Sequence, residues 1–506
     1  MSTNCGHTIC ICEVINPVLR YCQLFGVFPA SVIKHSFEKG DGYESYISHD
    51  GRNETFRNKS RSCYSHTPVS FQISPIPKLK STCYVKSYFF SYPSFISIVL
   101  LVGFSSVTTY VIVNIAEILK VYFQGTDFYT FGVQSICVYG QNVVILLNSL
   151  IHRKTFGKIW FLLMETFRNL RKHAVTQYNF EDKAVIQNSM IQPVSHPTKL
   201  QKRLKMLRIV SFLLVSTAVV MSIAHMIPFA TLVFDSCFDD GAQDLTVGSK
   251  VSGKPLCPLG NVLLLIQKLF FGMIDFVHQG VAILFSAFCL IICVFLEEIG
   301  NQMEMTLRSI KYDMKPKASQ VILINFEIEN LRMCYEYMSK CCRLMSQCFG
   351  IAILAVMITS VVSITCSLYS YALSSGAISD EDSRNMTKFY VIWAFHEWFG
   401  VFCLVVILIP GQFVTNMSEK PSQVIGRHSL MQLDSETKYQ LSQFQHQSRK
   451  PLVITAWNVT TIGMSFIASA ATNVTTYILV ILQFRLGVEN RDINMIGKNN
   501  NTSTDQ

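Results

Sequence analysis

Ionisable and amide side chains interrupt the apolar stretches of this chain at a few places. Asp275, His278 and Gln279 break one run, His225 another, and His396-Glu397 stand between Trp393 and Trp398 in a third. Gln134, Tyr139 and Tyr369 add hydrogen-bonding groups to two more. Inside a membrane such residues are costly, and they mark a binding site, a proton path or an internal pair. Aromatic walls with a few polar anchors suit a small hydrogen-bonding ligand. His-Glu and Asp-x-x-His suit a proton relay in a transporter. Asp275-x-x-His278 is half of a metal site, but no second pair of ligands matches it, so no metal is predicted. Any one carboxylate could simply pair with a nearby His. For the whole set, a ligand pocket open to the outside is the better account.

A second polar arrangement closes the last apolar run. Asn473, Thr476, Val480 and Gln483 are spaced i, i+3, i+7, i+10 and share one helical face. Ile478, Leu479 and Leu482 make the other side aliphatic. Within a monomer the stripe would be glue between helices. Repeated around a symmetry axis, it would line a water-filled path.

The elements that must position these residues follow from composition. The chain has 506 residues, 50% hydrophobic and 15% charged, against about 25% charged in soluble domains. That deficit predicts a polytopic membrane protein. Seven long apolar runs, 89–117, 127–151, 207–234, 263–296, 345–373, 389–414 and 454–484, each approach or exceed the span length of about 20 residues. The predicted fold class is an all-α membrane protein with seven transmembrane helices. Amphipathic patterns over 151–172 and 318–345 predict helical extensions beyond the spans.

Most of the 43 Lys and Arg lie in residues 1–88 and in the connections 152–206, 297–344 and 415–453. Those segments are therefore placed in the cytoplasm. The N-terminus is then inside and the C-terminus outside, opposite to a G-protein-coupled receptor. Neither Asp-Arg-Tyr after the third span nor Asn-Pro-x-x-Tyr in the seventh is present. The expected layout is a partly disordered cytoplasmic segment 1–88, a membrane domain 89–484 and an extracellular tail 485–506. No cleavable signal is read at the start, so the first span is expected to act as its own anchor.

The net charge of +10 is spread over loops, so no nucleic acid is expected as a partner. Cys237 and Cys257 flank an outer loop and are candidates for a disulfide. Asn385, Asn500 and Asn501 are candidate glycosylation sites on the outer side. Cys5, Cys10 and Cys12 read as reduced thiols. No glycine-rich phosphate loop or nucleophile elbow is present, so neither catalysis nor a cofactor is expected.

Thr476-Tyr477, five aliphatic residues and Gln483-Phe484 resemble the closing signature of the insect gustatory receptors, relatives of the odorant receptors. Leu441, Phe444 and Pro451–Ala456 resemble that family's approach to its seventh helix. Pro17–Tyr21 and Leu24–Pro29 resemble its cytoplasmic N-terminal motif. The resemblance implies a ligand-gated, nonselective cation channel in the plasma membrane of gustatory neuron dendrites. It implies a homo- or hetero-tetramer with the seventh helices around one pore. Thr476, Val480, Gln483 and Phe484 would then line or gate the path, and Tyr477 would pack between helices. A small tastant would bind among spans two to six, bitter or plant-derived compounds being favoured and a sugar being the alternative. Shifts of spans five and six would pull the seventh outward. The segment before the first span is longer than the resemblance leads one to expect.

Overall fold

A computed structural model describes residues 11–28, 31–36, 81–86, 91–122, 126–185, 199–238, 258–312, 318–374, 382–428, 433–480 and 483, with backbone only along parts of several helices. The chain folds as long helices: α1 Ile11–Leu24, α2 Tyr92–Tyr122, α3 Thr126–Ile151, α4 Arg153–Val185, α5 Lys199–Phe238, α6 Pro258–Tyr312, α7 Ala318–Ser374, α8 Asp382–Ser418, α9 Lys420–Arg427, α10 Ser435–Ser448 and α11 Ser465–Val480. Two small antiparallel pairs accompany them. β1 (Ser31–Ser36) runs against β2 (Ser81–Lys86), and β3 (Thr455–Ala456) against β4 (Thr460–Thr461).

Among the described residues, five helical stretches are long and apolar enough to cross a membrane: Tyr92–Thr109, Lys199–Ala224, Asp275–Ile310, Val321–Leu368 and Gly400–Arg427. Two shorter apolar helices, Ile136–Ile151 and Ser465–Val480, accompany them. Each overlaps one of the seven apolar runs of the sequence. The physical reason is that lipid offers no partner for backbone N–H and C=O, so an apolar run must close its hydrogen bonds within itself as a helix.

α6 is the central post. Residues from Val277 to Ile299 are almost all buried, and α6 packs against α1, α3, α5, α7, α8 and α9. α6 and α7 run without a break from their apolar halves into polar ones, as the amphipathic pattern over 318–345 predicts for α7. Phe349 of α7 sits in an aromatic cluster with Phe156 of α4 and with Phe285 and Phe288 of α6, at ring distances of 5.3, 5.7 and 6.0 Å. An ion-pair network ties α5, α6 and α9 together. Arg203 reaches Glu297 at 2.8 Å and Glu298 at 3.6 Å, and Lys420 reaches Glu297 at 3.6 Å and Asn301 at 2.8 Å.

Two sequence expectations are revised, and α1 gives part of the segment 1–88 a packed structure. α1 is amphipathic, and Ile11, Val14, Ile15, Val18, Leu19 and Cys22 are buried against α5 and α6. The apolar run 454–484 does not start as a helix: residues 455–461 form a hairpin first. Trp457 and Asn458 have φ of 50° and 58°, a backbone that a tight two-residue turn requires and a helix forbids. α8 continues through Pro410 and Gly411 to Ser418. Cys12 is disulfide-bonded rather than a reduced thiol.

Candidate functional site

A buried polar layer crosses the middle of the bundle. α6 carries Asp275, His278 and Gln279, which are 1%, 5% and 0% exposed. The predicted Asp275, His278 and Gln279 are thus all interior. From α3, Gln141 Nε2 lies 2.7 Å from His278 Nδ1. One further turn-pair along α3, Gln134 donates to Ser363 Oγ of α7 at 3.1 Å. Thr359 of α7 donates to the Cys137 carbonyl at 3.4 Å. Tyr139 is buried too, on another face of α3.

Gln279 is the junction of three helices. The hydroxyls of Tyr21 on α1 and Ser222 on α5 both donate to its Oε1, at 3.3 and 3.2 Å. Tyr21 also stacks in an aromatic group with Phe25 and Phe276, the latter two lying 4.5 Å apart and nearly parallel. Gly280 makes room for this docking: a Cβ there would lie 3.0 Å from Val27. Tyr21→Phe removes one of these bonds and is expected to lower stability by about 1 kcal/mol. A thermal unfolding midpoint equal to wild type would mean that α1 is held by its apolar face alone.

Among the described residues, several polar atoms in this layer have no hydrogen-bond partner: Gln141 Oε1, Asn142 Oδ1, Gln279 Nε2 and Ser360 Oγ. A buried polar atom left unpaired costs about 1–3 kcal/mol. The set mixes acceptors and donors of neutral groups, which suits a neutral hydrogen-bonding molecule better than an ion. Among the described residues no group of His, Cys, Asp and Glu is arranged to hold a metal.

Of the predicted pocket, Asp275, His278 and Gln279 are buried along α6, Gln134 is buried against Ser363 of α7, and Tyr139 is buried on another face of α3. Trp398 is not among them: it is 68% exposed. His225 lies on α5, Tyr369 on α7 and Trp393, His396 and Glu397 on α8, with side chains outside the described residues. The same holds for Cys237 on α5 and Asn385 on α8, while Cys257, Phe484, Asn500 and Asn501 lie wholly outside. Sequence reasoning missed Tyr21, Ser222, Gln141 and Ser363. Gln141 had a readable signal, seven residues after Gln134 and so on the same helical face. Tyr21 had none, because only tertiary packing brings α1 to α6.

The other functional element is α11. Three of its threonines are satisfied within the helix: Thr472, Thr475 and Thr476 donate to the carbonyls of Ala468, Ala471 and Thr472. Nearly every side chain from Ser465 to Val480 is exposed, with only Phe466, Ala470, Val474 and Ile478 partly covered. Thr476, Tyr477, Val480 and Gln483 are all on the open surface.

A family model described as 7tm Chemosensory receptor matches residues 254–487. No curated protein matches the chain by sequence. In fold, the chain is similar to the insect olfactory receptor OR5 from Machilis hrabei in complex with eugenol, with TM-score 0.59 and 12% identity over 94% of this chain and 98% of that one. A second structure of OR5 gives TM-score 0.56 and 12% identity over 78% of this chain and 90% of that one. The second half of the chain thus matches the pattern of the 7tm chemosensory receptors, and nearly its whole length shares the fold of an insect olfactory receptor, with several helices apolar enough to cross a membrane.

Proposed function

We propose that this protein is a gustatory receptor that opens as a ligand-gated, nonselective cation channel when a small external chemical binds. The observation that carries the reading is α11, an apolar helix that its own chain leaves uncovered on nearly every side. Lipid alone would satisfy Leu479, but not the exposed Asn473 and Gln483 on one stripe. Copies of α11 around an axis turn that stripe toward water and the aliphatic side toward neighbouring helices. A tetramer of this chain, or of this chain with related subunits, is the assembly proposed. Gln483 and Phe484 then sit near the outer mouth, with Thr476 and Val480 along the path and Tyr477 between helices.

The ligand site is the polar layer of Gln134, Tyr139, Asp275, His278 and Gln279, with His225, Tyr369, Trp393, His396 and Glu397 proposed above it. The receptor that shares the fold holds eugenol, which supports a small organic ligand here too. Neutral amide and hydroxyl groups beside aromatic rings favour a bitter or plant-derived compound, and a sugar is the alternative within the same class. The closing motif Thr476-Tyr477 to Gln483-Phe484 favours taste over smell. Cell-surface placement in gustatory neurons, an inside N-terminus and an outside C-terminus belong to the same proposal.

Whole-cell current from this chain, with plant alkaloids and sugars applied outside, tests the reading in wild type and Gln483→Ala. A ligand-evoked cation current with altered permeation in the variant is expected. Solute flux coupled to protons, with no such current, would favour a transporter instead. A C-terminal tag reached only from the cytoplasm would overturn the topology.

A further inference from the structure

We propose that the start of α5 is a binding site for an anionic phospholipid of the cytoplasmic leaflet. Residues 199–208 read Lys-Leu-Gln-Lys-Arg-Leu-Lys-Met-Leu-Arg, five basic residues with no carboxylate. The structure divides the five. Arg203 turns inward to the ion pair with Glu297 and Glu298. Lys199, Lys202, Lys205 and Arg208 are exposed, and no carboxylate among the described residues pairs with them. Four cations are therefore left over after the fold has used the one it needs.

Those four lie on one side of the helix, because the buried side is taken by Leu200, Leu204, Leu207 and Ser211. The same exposed side continues directly into Met206, Ile209, Phe212, Leu213 and Val220, all large and uncovered. Lys205 and Phe212 are separated by about 10 Å along the helix. A molecule that fits this surface has negative charge at one end and an apolar body beginning about 10 Å away. A phospholipid has that form and a free phosphate does not. Basic residues immediately cytoplasmic to a span attract anionic headgroups.

The site is connected to the rest of the bundle. Arg203, between the lipid-facing cations, holds Glu297, and Glu297 is shared with Lys420 of α9. A headgroup bound on α5 therefore lies next to the clamp that fixes α5, α6 and α9 to one another.

The proposal rests on the topology in which α5 begins in the cytoplasm, so the test reads that separately. Purified protein in bilayers of phosphatidylcholine and phosphatidylserine is transferred to native mass spectrometry, and retained lipids are counted. Wild type is expected to retain phosphatidylserine preferentially. K199Q/K202Q/K205Q/R208Q is expected to lose that preference by about tenfold or more. K199R/K202R/K205R is expected to keep it, which separates charge from folding. K154Q/K158Q, on the exposed side of α4, is expected to keep it as well. Soluble glycerophosphoserine is expected not to displace the lipid, because it lacks the apolar body. An unchanged preference in the fourfold Gln variant overturns the proposal. So does an equal loss in K154Q/K158Q, which would mean diffuse attraction, or displacement by the soluble headgroup. Lys205→Cys labelled by an impermeant maleimide from outside intact cells would overturn the topology, and the site with it. None of these readouts depends on a channel current.

Discussion

On the proposed channel function, Gly411→Val is expected to abolish ligand-evoked current, with Gly350→Ala close behind it. The two glycines lie on α8 and α7, on either side of the hairpin that leads into α11. A Cβ at Gly411 would sit 2.7 Å from the Ile462 carbonyl oxygen and 2.7 Å from its Cγ2. At Gly350 it would sit 2.7 Å from the Trp457 backbone nitrogen. Real Cβ atoms do not come so close, so the hairpin must move, and overpacking of this kind costs about 1–3 kcal/mol.

The hairpin has little freedom to yield. Ser418 Oγ accepts from Leu452 N at 2.8 Å, Ser346 Oγ from Thr455 N at 3.0 Å, and Gln412 Oε1 from Met464 N at 3.2 Å. Across the hairpin, Ile462 N donates to Ile454 O at 2.9 Å. Three side chains from α7 and α8 thus hold the backbone from which α11 departs. Displacing the hairpin tilts α11 at its root, and a helix of this length magnifies the tilt at its far end. Ile462→Ala should relieve Gly411→Ala in part, because one of the two clashing atoms goes. No side-chain trimming should relieve Gly350→Ala, whose obstacle is backbone. Surface biotinylation beside current recording separates gating from loss of protein. Wild-type currents in both glycine variants would show that the hairpin does not fix α11.

Phe349→Ala should give the largest loss of stability of any single substitution considered. The ring is 1% exposed and is shared by helices α4, α6 and α7. Its contacts with Phe156 and Phe285 are edge-to-face, an arrangement that adds to plain apolar burial. Truncation leaves a cavity that three long, rigid helices cannot close, at a cost of about 3–5 kcal/mol. Phe349→Leu keeps most of the volume and should cost less than half as much. The thermal unfolding midpoint and the monodisperse fraction after purification measure both. If Phe349→Ala purified like wild type, the cluster would not be what joins α4 to the central pair.

The helices were legible because lipid imposes a simple rule on sequence. A chain crossing a bilayer must satisfy its own backbone polar groups, so each apolar run of sufficient length becomes a helix. The run over 263–296 predicts the central part of α6 on composition alone, and the pattern over 318–345 predicts the polar half of α7. Buried polar residues were legible for a related reason: Asp275, His278 and Gln279 stand out because apolar neighbours surround them.

What the sequence left open was every relation between elements far apart in the chain. α1 has its amphipathic face written in it, but nothing local says that the partner of Tyr21 is Gln279, 258 residues on. The apolar run 454–484 reads as helix from end to end. Its first residues instead form a hairpin, because α7 and α8 supply hydrogen-bond partners and two bare glycine surfaces for it. Gln141 and Ser363 look ordinary in sequence and become site residues only when α3 and α7 bring them to the polar layer. Outside the start of that last run, the sequence by itself determined where the apolar segments are helical, since that depends on each segment's own exchange with lipid. Tertiary structure decided which polar groups meet and how α11 is held, since those depend on packing that no single segment contains.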